Sequence, residues 1–504
     1  MNIRLEARGT DFVLKGNTAE ALAFAIKWKF NRNGATGEWW IEKKNLHPRA
    51  EEEAHQNGWT GANLVVAWEP PKLQECSFAY TIDERLWDYQ YEAILWLRTQ
   101  RSCILNCDPG LGKTAITIKS MRPGDTALVV VPAAARMVWP REVEKWEKSI
   151  EINDTWKPGR PLVPFEVHIV SWDKLGDIKP EHLPKNTLVV ADEFQLAKNW
   201  RSNRSTFLAR IVESVLRHGG KFWALTGTPF TRYADDLWGI LLAGCNAAKI
   251  FPGGFQEFKL LTGARRKKDG NLCYEPERIS GEIGERLQSI MFRRTLEEVF
   301  PQMPDLLEDV VKLNVHPVNF TYFNELRDEC LSPGGQAAWT IMRKELAKSK
   351  TAYALEYAKE NGTFDNPLIV FSCFVEPIEC FKTLDDWAVI TGATSPEERG
   401  HIQDAFQAGK LKGVACTVGA AGVGLTFSRS NHTVFIDRDP SPTVMDQAIA
   451  RMRRHLQTRT CFVTYIEVDH PIEGQLRELY TRKKAGHSAL LRGVRAIAES
   501  FNDV

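Results

Sequence analysis

The sequence has no excess of charge of either sign. Its 65 Lys and Arg stand against 64 Asp and Glu, a formal net charge of +1 over 504 residues. Bulk attraction to a polyanion is thereby excluded, and any nucleic-acid contact must come from local basic surfaces. Absent too is any apolar run of bilayer-crossing length, and the opening MNIRLEARGT carries charge at once, unlike a secretory leader. No membrane partner is expected. The ten cysteines form no CxxC pair. Cys103 and Cys107 have no His or second cysteine pair nearby, which argues against zinc and for a reducing compartment. Low-complexity tracts and short-period repeats are missing, so repeat architectures are excluded. A chain of 504 residues predicts two large domains or three smaller ones. Its 16 Trp are many; most are expected in cores and a few as base-stacking groups.

What is present is a pair of segments with the chemistry of a bound triphosphate. Residues 108–114 read DPGLGKT. Gly110 and Gly112 allow the backbone to curl so that its N–H groups face phosphate oxygens. Lys113 supplies positive charge to the β- and γ-phosphates, and Thr114 a hydroxyl for Mg²⁺. Residues 188–193 read LVVADE, an apolar strand ending in two carboxylates. Asp192 suits Mg²⁺, and Glu193 suits the orientation and activation of an attacking water.

The organisation has three parts. Residues 1–75 end in the Pro-Pro of AWEPP. Residues 80–310 alternate apolar runs with helical stretches, including ALVVV (127–131), VHIVSW (167–172), LVVAD (188–192) and KFWALT (221–226). Residues 311–504 repeat the pattern with PLIVFSCF (367–374), WAVITG (387–392), GVACTV (413–418) and HTVFID (432–437). The fold class is therefore α/β, with two tandem lobes of parallel sheet flanked by helices and a small N-terminal α+β module. A helical stretch over 319–360 is expected to bridge the lobes. The second lobe lacks a phosphate loop but contains QAIARMRRHLQ (447–457). On a helix, Arg451 and Arg454 would share a face, and two planar guanidinium forks there could reach a γ-phosphate across a cleft.

In order along the chain, LWDYQYEAI (86–94), NCDPGLGKT, VVADEFQLAKN (189–199), ALTGTPFTRYADDLWGIL (224–241), MFRRTLEEV (291–299), LIVFSCF and TVGAAGVGLTF (417–427) complete a pattern with that arginine segment. The chain resembles the Swi/Snf-like group of helicase superfamily 2 over about residues 80–490. The resemblance implies two RecA-like lobes, ATP and Mg²⁺ as cofactors, and Gln90 on the adenine base. It also implies double-stranded or branched DNA as partner and an ATP-dependent translocase activity. The departures are specific. The family's Asp-Glu-Ala-His is Asp192-Glu193-Phe194-Gln195. The Asp usual before the first arginine is Ala450, and the usual Ile-Gly-Gln is His455-Leu456-Gln457.

Loops after the strands are the expected backbone contacts to DNA: Pro132–Ala134, Ser171, Trp172, Thr228, Ser372 and the glycine-rich turn of 418–427. Arg265, Arg266, Lys267 and Lys268 form a basic cluster expected to grip DNA. The segment 24–45 reads as a hairpin with Trp39, Trp40 and Ile41 on its return strand, and resembles the HARP module of annealing helicases. The leading functional expectation is remodelling of branched DNA by fork regression, branch migration or strand annealing. A strand-separating DNA or RNA helicase, a motor that displaces proteins, and a nucleotide-switched DNA clamp are the alternatives. The protein is expected to be monomeric and cytoplasmic or nucleoid-associated, from a bacterial or phage source, and nuclear if eukaryotic.

Overall fold

Fully buried strands of β-branched residues leave little choice but parallel sheets covered on both faces. The computed structural model describes residues 83–490, apart from short stretches at 154, 228–233, 245, 267–271, 314–335, 421–424 and 456, and four strands between Arg4 and Glu42. Those four strands are β1 (Arg4–Arg8), β2 (Asp11–Lys15), β3 (Asn31–Arg32) and β4 (Trp39–Glu42), an antiparallel sheet of order β1-β2-β4-β3. Leu14 lies opposite Trp39 and Phe12 opposite Ile41, whereas Val13 lies opposite Trp40.

The first lobe is built on β5 (Ser102–Cys107), β6 (Ala127–Val131), β7 (Ile152–Asn153), β8 (Val167–Ser171), β9 (Leu188–Ala191), β10 (Lys221–Leu225) and β13 (Met291–Arg294). A two-stranded antiparallel ribbon, β11 (Arg265–Arg266) with β12 (Leu272–Cys273), stands apart from this sheet. The seven strands run parallel in the order β13-β5-β10-β9-β6-β8-β7. Alternation along each strand feeds two cores. Leu128 and Val130 of β6 enter one, while Ala127, Val129 and Val131 enter the other. Every strand of a parallel sheet ends on the same edge. The loops after β5, β10 and β9, three neighbours, therefore meet there.

The second lobe has β14 (Leu306–Leu313), β15 (Leu368–Ser372), β16 (Trp387–Ile390), β17 (Gly413–Thr417), β18 (His432–Phe435) and β19 (Cys461–Val468), in the order β14-β19-β18-β15-β17-β16 and all parallel. The expected junction at residue 310 falls inside β14, whose eight residues all pair with β19. The second lobe therefore begins before Leu306. Of the stretch 319–360 expected to bridge the lobes, residues 319–335 lie outside the described residues, and the described part is the helix Gln336–Asn361. It packs on the second sheet through Met342, Leu346, Ala347, Ala354 and Ala358. Its fully buried Lys350 donates to Glu473 at 2.7 Å, on the C-terminal helix Pro471–Leu490. Among the described residues no helix is long and apolar enough to cross a membrane.

The lobes touch along the loop edges. Arg453 of the second lobe meets Glu297 of the first at 2.6 Å. His455 of the second stands edge-on to Trp87 of the first, with ring centres 4.7 Å apart.

One glycine permits a close backbone approach next to the carboxylate segment. A Cβ on Gly239, in the helix Ala234–Ala243, would lie 1.8 Å from the carbonyl oxygen of Lys198. Gly239→Ala should push that helix off the segment following Asp192. We expect a loss of about 1–3 kcal/mol, the range for overpacking, read as a lowered urea midpoint. An unchanged midpoint would show that the contact yields freely.

Candidate active site

The loop after β5 turns into the helix Lys113–Ser120 through two left-handed glycines, Gly110 at φ 92° and Gly112 at φ 73°. Lys113 starts the helix. Its Nζ donates to the carbonyls of Cys107 at 2.8 Å and Asp108 at 3.4 Å, so the ammonium spans the loop. Asp108 is held in turn, its carboxylate accepting from the Leu296 amide at 2.9 Å. Thr114 is half-buried in the first helical turn.

Gln90 lies against this loop. A Cβ on Gly112 would come within 2.5 Å of its Nε2. Its amide oxygen accepts from the Trp87 amide at 3.0 Å, and its Nε2 points to the Leu111 carbonyl at 3.4 Å. Tyr89 donates its hydroxyl to that same carbonyl at 2.8 Å. The Nε2 end of the Gln90 side chain, expected on a base, thus meets the phosphate loop, while its oxygen caps the start of its own helix, Asp88–Thr99.

The carboxylates follow β9. Asp192 Oδ2 accepts from Trp139 Nε1 at 3.0 Å, and its Oδ1 from the Glu193 amide at 3.0 Å. Burial first, and then the charge of Glu193, push the Asp192 carboxyl up to about 6, against the opposing hydrogen bond from Trp139 and the charge of Lys113. Glu193 adopts the left-handed conformation at φ 50°, ψ 51°. A non-glycine residue there carries strain of about 1–3 kcal/mol. The fully buried Phe194 and Ala197 anchor the turn that imposes it. Gln195 then bridges two groups: its Nε2 donates to Glu193 Oε2 at 2.5 Å, and its Oε1 accepts from Thr226 Oγ1 at 2.6 Å.

Asp192, Thr114 and Lys113 fit Mg²⁺ and a triphosphate. The fit is one of donor type: a carboxylate and a hydroxyl suit the ion, and an ammonium suits the phosphates, all on one edge of the sheet. Asp192 and Thr114 would hold the ion, which would screen the charge of the phosphates.

The arginines come from the second lobe, though not on a helix as expected. The helix Pro442–Ile449 ends before them, and turns carry Arg451 and Arg454 onward. Both donate to one acceptor, the Leu425 carbonyl, at 3.2 Å and 2.9 Å. The position a Cβ would take on Gly110 lies 3.8 Å from Arg454 Cγ, so Arg454 lies against the phosphate loop of the other lobe. Burial lowers the Arg454 guanidinium to about 10, and the charge of Arg451 adds to the effect. Burial lowers Arg451 too, while the charge of Glu193 works in the other direction.

Three expected DNA contacts are corrected. Ser171 and Trp172 are 7% and 3% exposed, and Ser372 is fully buried. The Trp172 indole donates to the Asp192 carbonyl at 2.8 Å, and the Ser372 hydroxyl to Asp437 at 2.5 Å. A place at a strand end points to the surface; here all three are inside, and Trp172 and Ser372 are already bonded. Pro132 is half-buried at the loop edge, and Arg265 is exposed on the ribbon, where Arg266 pairs with Leu272. Thr228, Lys267, Lys268 and residues 421–424 lie outside the described residues. Trp139, Gln195 and Thr226 are site residues that the sequence reading passed over. Trp139 reads as an ordinary core aromatic, while Gln195 was visible only as a departure at the fourth position of its motif.

A P-loop on one parallel sheet, two carboxylates two strands away and a guanidinium pair from a second sheet define a two-lobed nucleotide hydrolase of helicase superfamily 2. Residues 89–364 match the SNF2-related domain and residues 350–455 the helicase conserved C-terminal domain. The chain belongs to the SNF2-related family. It is 24% identical over 461 residues to the mouse DNA annealing helicase and endonuclease ZRANB3, covering 83% of this chain and 42% of that protein. An uncharacterized ATP-dependent helicase of Mycoplasma pneumoniae is 24% identical over 79% of this chain and 41% of its own length. The chromatin remodeling factor mit1 of Schizosaccharomyces pombe is 23% identical, over 83% of this chain and 35% of its own. The chain thus spans about two fifths of the length of these relatives. The Sulfolobus solfataricus SWI2/SNF2 ATPase core in complex with dsDNA aligns at 20% identity and a TM-score of 0.37, covering 86% of this chain and 98% of that one.

Separate roles for the lysine and the second carboxylate make separate losses. Lys113→Ala should abolish tight ATP binding, whereas Glu193→Gln should bind ATP and fail to turn it over. Binding measured by a fluorescent nucleotide, together with phosphate release, distinguishes the two; near-wild-type hydrolysis in both would refute the assignment.

Proposed function

We propose that this chain is an ATP-driven translocase on double-stranded DNA that remodels branched DNA. The observation that carries the reading is Arg454 of the second lobe lying against Gly110 of the phosphate loop, with Arg451 in the field of Glu193. Hydrolysis in this reading needs both lobes. Lys113 and the loop amides hold the phosphates, and Thr114 and Asp192 hold Mg²⁺. Glu193 takes the proton of the attacking water, and Arg451 and Arg454 stabilise charge on the transferred phosphoryl group. Because those groups sit on two bodies, nucleotide state sets lobe spacing, and a duplex gripped by both lobes is stepped along. Branched DNA as the substrate draws support from the ZRANB3 relatives, which carry the name annealing helicase. Exposed Arg265, with Arg266 beside it on the ribbon, suits contact with the phosphate backbone.

Arg451→Ala and Arg454→Ala should leave nucleotide affinity within several-fold and cut hydrolysis by about 10³ or more, the scale of an arginine finger. Rates are to be measured without nucleic acid and with single strand, duplex, fork and RNA. Duplex or fork stimulation is expected to dominate. Stimulation by RNA or single strand alone would favour a helicase, and intact hydrolysis with weakened DNA binding would make the arginines phosphate contacts.

Deleting residues 1–75 should spare duplex-stimulated hydrolysis while weakening binding to forks more than to linear duplex. The strand register separates the two tryptophans of β4. Of Trp39→Ala and Trp40→Ala, one should destabilise the module. The other should lower fork preference, at about 1–3 kcal/mol for a lost stacking contact. A truncated protein that loses hydrolysis outright would make the module a structural cap.

A further inference from the structure

We infer that Arg453 and His455 are positioning residues: docked on the first lobe to either side of Arg454, they set where that arginine meets the phosphate loop. The inference rests on the role proposed above for Arg451 and Arg454. A guanidinium that stabilises charge from a separate body has to arrive in register, and a misplacement of about 1 Å is enough to lose most of its effect.

The surface that receives the two residues is tied to the phosphate loop at two points. Trp87 immediately precedes the helix Asp88–Thr99. Two side chains of that helix reach the Leu111 carbonyl, the Tyr89 hydroxyl at 2.8 Å and Gln90 Nε2 at 3.4 Å. Glu297 belongs to the short helix Leu296–Val299, which Phe300 follows. The amide of Leu296 donates to the Asp108 carboxylate at 2.9 Å. Trp87 and Phe300 pack edge to face with ring centres 4.9 Å apart, so the two ties belong to one surface. Asp108 and Leu111 stand on either side of Gly110, the residue that Arg454 lies against.

The turn that docks there is held within its own lobe. The Arg453 amide donates to the Ile449 carbonyl at 3.0 Å, and Arg454 Nε to the Ala450 carbonyl at 3.2 Å. Beyond them the buried Gln457 donates to the carbonyls of Ser428 at 3.1 Å and Ser430 at 2.7 Å. A displacement at residue 453 or 455 therefore passes to Arg454 and is not absorbed by slack backbone. Arg453 donates to Glu297 at 2.6 Å. The His455 ring stands edge-on to Trp87 at 4.7 Å and stacks on Phe300 at 6.0 Å. Both contacts lie at the rim of the cleft: the Glu297 side chain is 60% exposed, and His455 is exposed as well. Ion pairs so placed contribute little to stability. What they supply is direction, because a charged donor on a carboxylate and a ring edge on a ring face fix an angle as well as a distance. His455 stands where the family has Ile, so the ring contact belongs to this chain's own sequence.

The test is DNA-stimulated ATP hydrolysis by the full chain, with nucleotide affinity and the thermal midpoint measured for every variant. Glu297→Arg should lower kcat by about 10-fold or more, while KM for ATP and the midpoint stay near wild type. Adding Arg453→Glu should restore most of kcat, because the pair re-forms with its signs exchanged. His455→Ala should lose kcat in the same way, and His455→Phe, which keeps a ring against Trp87 and Phe300, should retain it. Since both residues act through Arg454, Glu297→Arg placed on Arg454→Ala should cost nothing further. Wild-type kcat in Glu297→Arg, no recovery in the exchanged pair, or losses that multiply with Arg454→Ala would each overturn the inference. Should His455→Ala fail to fold, the Glu297 series, on an exposed side chain, decides alone. An Arg454→Ala protein that hydrolyses ATP like wild type would refute the role of the arginines themselves. Intact Glu297→Arg beside an inactive Arg454→Ala refutes only their positioning by Arg453 and His455.

Discussion

Each lobe holds two like charges close together. Asp192 and Glu193 stand side by side on the first lobe, and the proton affinity of Asp192 is raised by burial and by its neighbour. Arg451 and Arg454 are buried together on the second, and each guanidinium is weakened by burial, Arg454 also by Arg451. Placing like charges close together in a poorly solvated site costs free energy within each lobe. The two signs are complementary across the cleft, as the influence of Glu193 on Arg451 shows. Closure, and a bound metal–triphosphate, relieve what each lobe bears separately. The rest of the architecture serves that arrangement.

The parallel sheets explain why the charges can be held at all. Strands β5, β10 and β9 follow one another and end on one edge, so the threonine lies one strand from the loop and the carboxylates two. Indoles complete the support: Trp139 reaches the Asp192 carboxylate and Trp172 its carbonyl. Large apolar rings with one polar edge exclude water while satisfying a buried acceptor. On the second lobe the single Leu425 carbonyl gathers both arginines, so the turn before β18 governs where they aim.

Much of this was legible in the chain. Apolar β-branched runs announced the strands, and the glycines of DPGLGKT announced a loop that does adopt left-handed backbone. The arginine pair was legible as a pair, but not its geometry, because a helical period continued past Ile449 where the backbone turns. Ser171, Trp172 and Ser372 show a different limit. A residue's distance from a strand end says nothing about whether a neighbouring element covers it, and each proved buried by contacts from elsewhere in its lobe. Gln195 shows a third. Its two partners lie at residues 193 and 226, and only the order of strands in space brings the second within reach.

The pairing of β14 with β19 has a consequence for the order in which the chain can be made and folded. The first lobe closes its sheet when β13 is complete, at Arg294. The second cannot. Its edge strand, at Leu306–Leu313, must wait for Cys461–Val468, and buried Lys350 must wait for Glu473. As a nascent chain emerges, the first lobe is free to fold while most of the second is still unmade. For that interval β14 and the lysine have no native partners, and the half-made second lobe exposes apolar strand surface. The second lobe thus completes its sheet only after Val468 has been made.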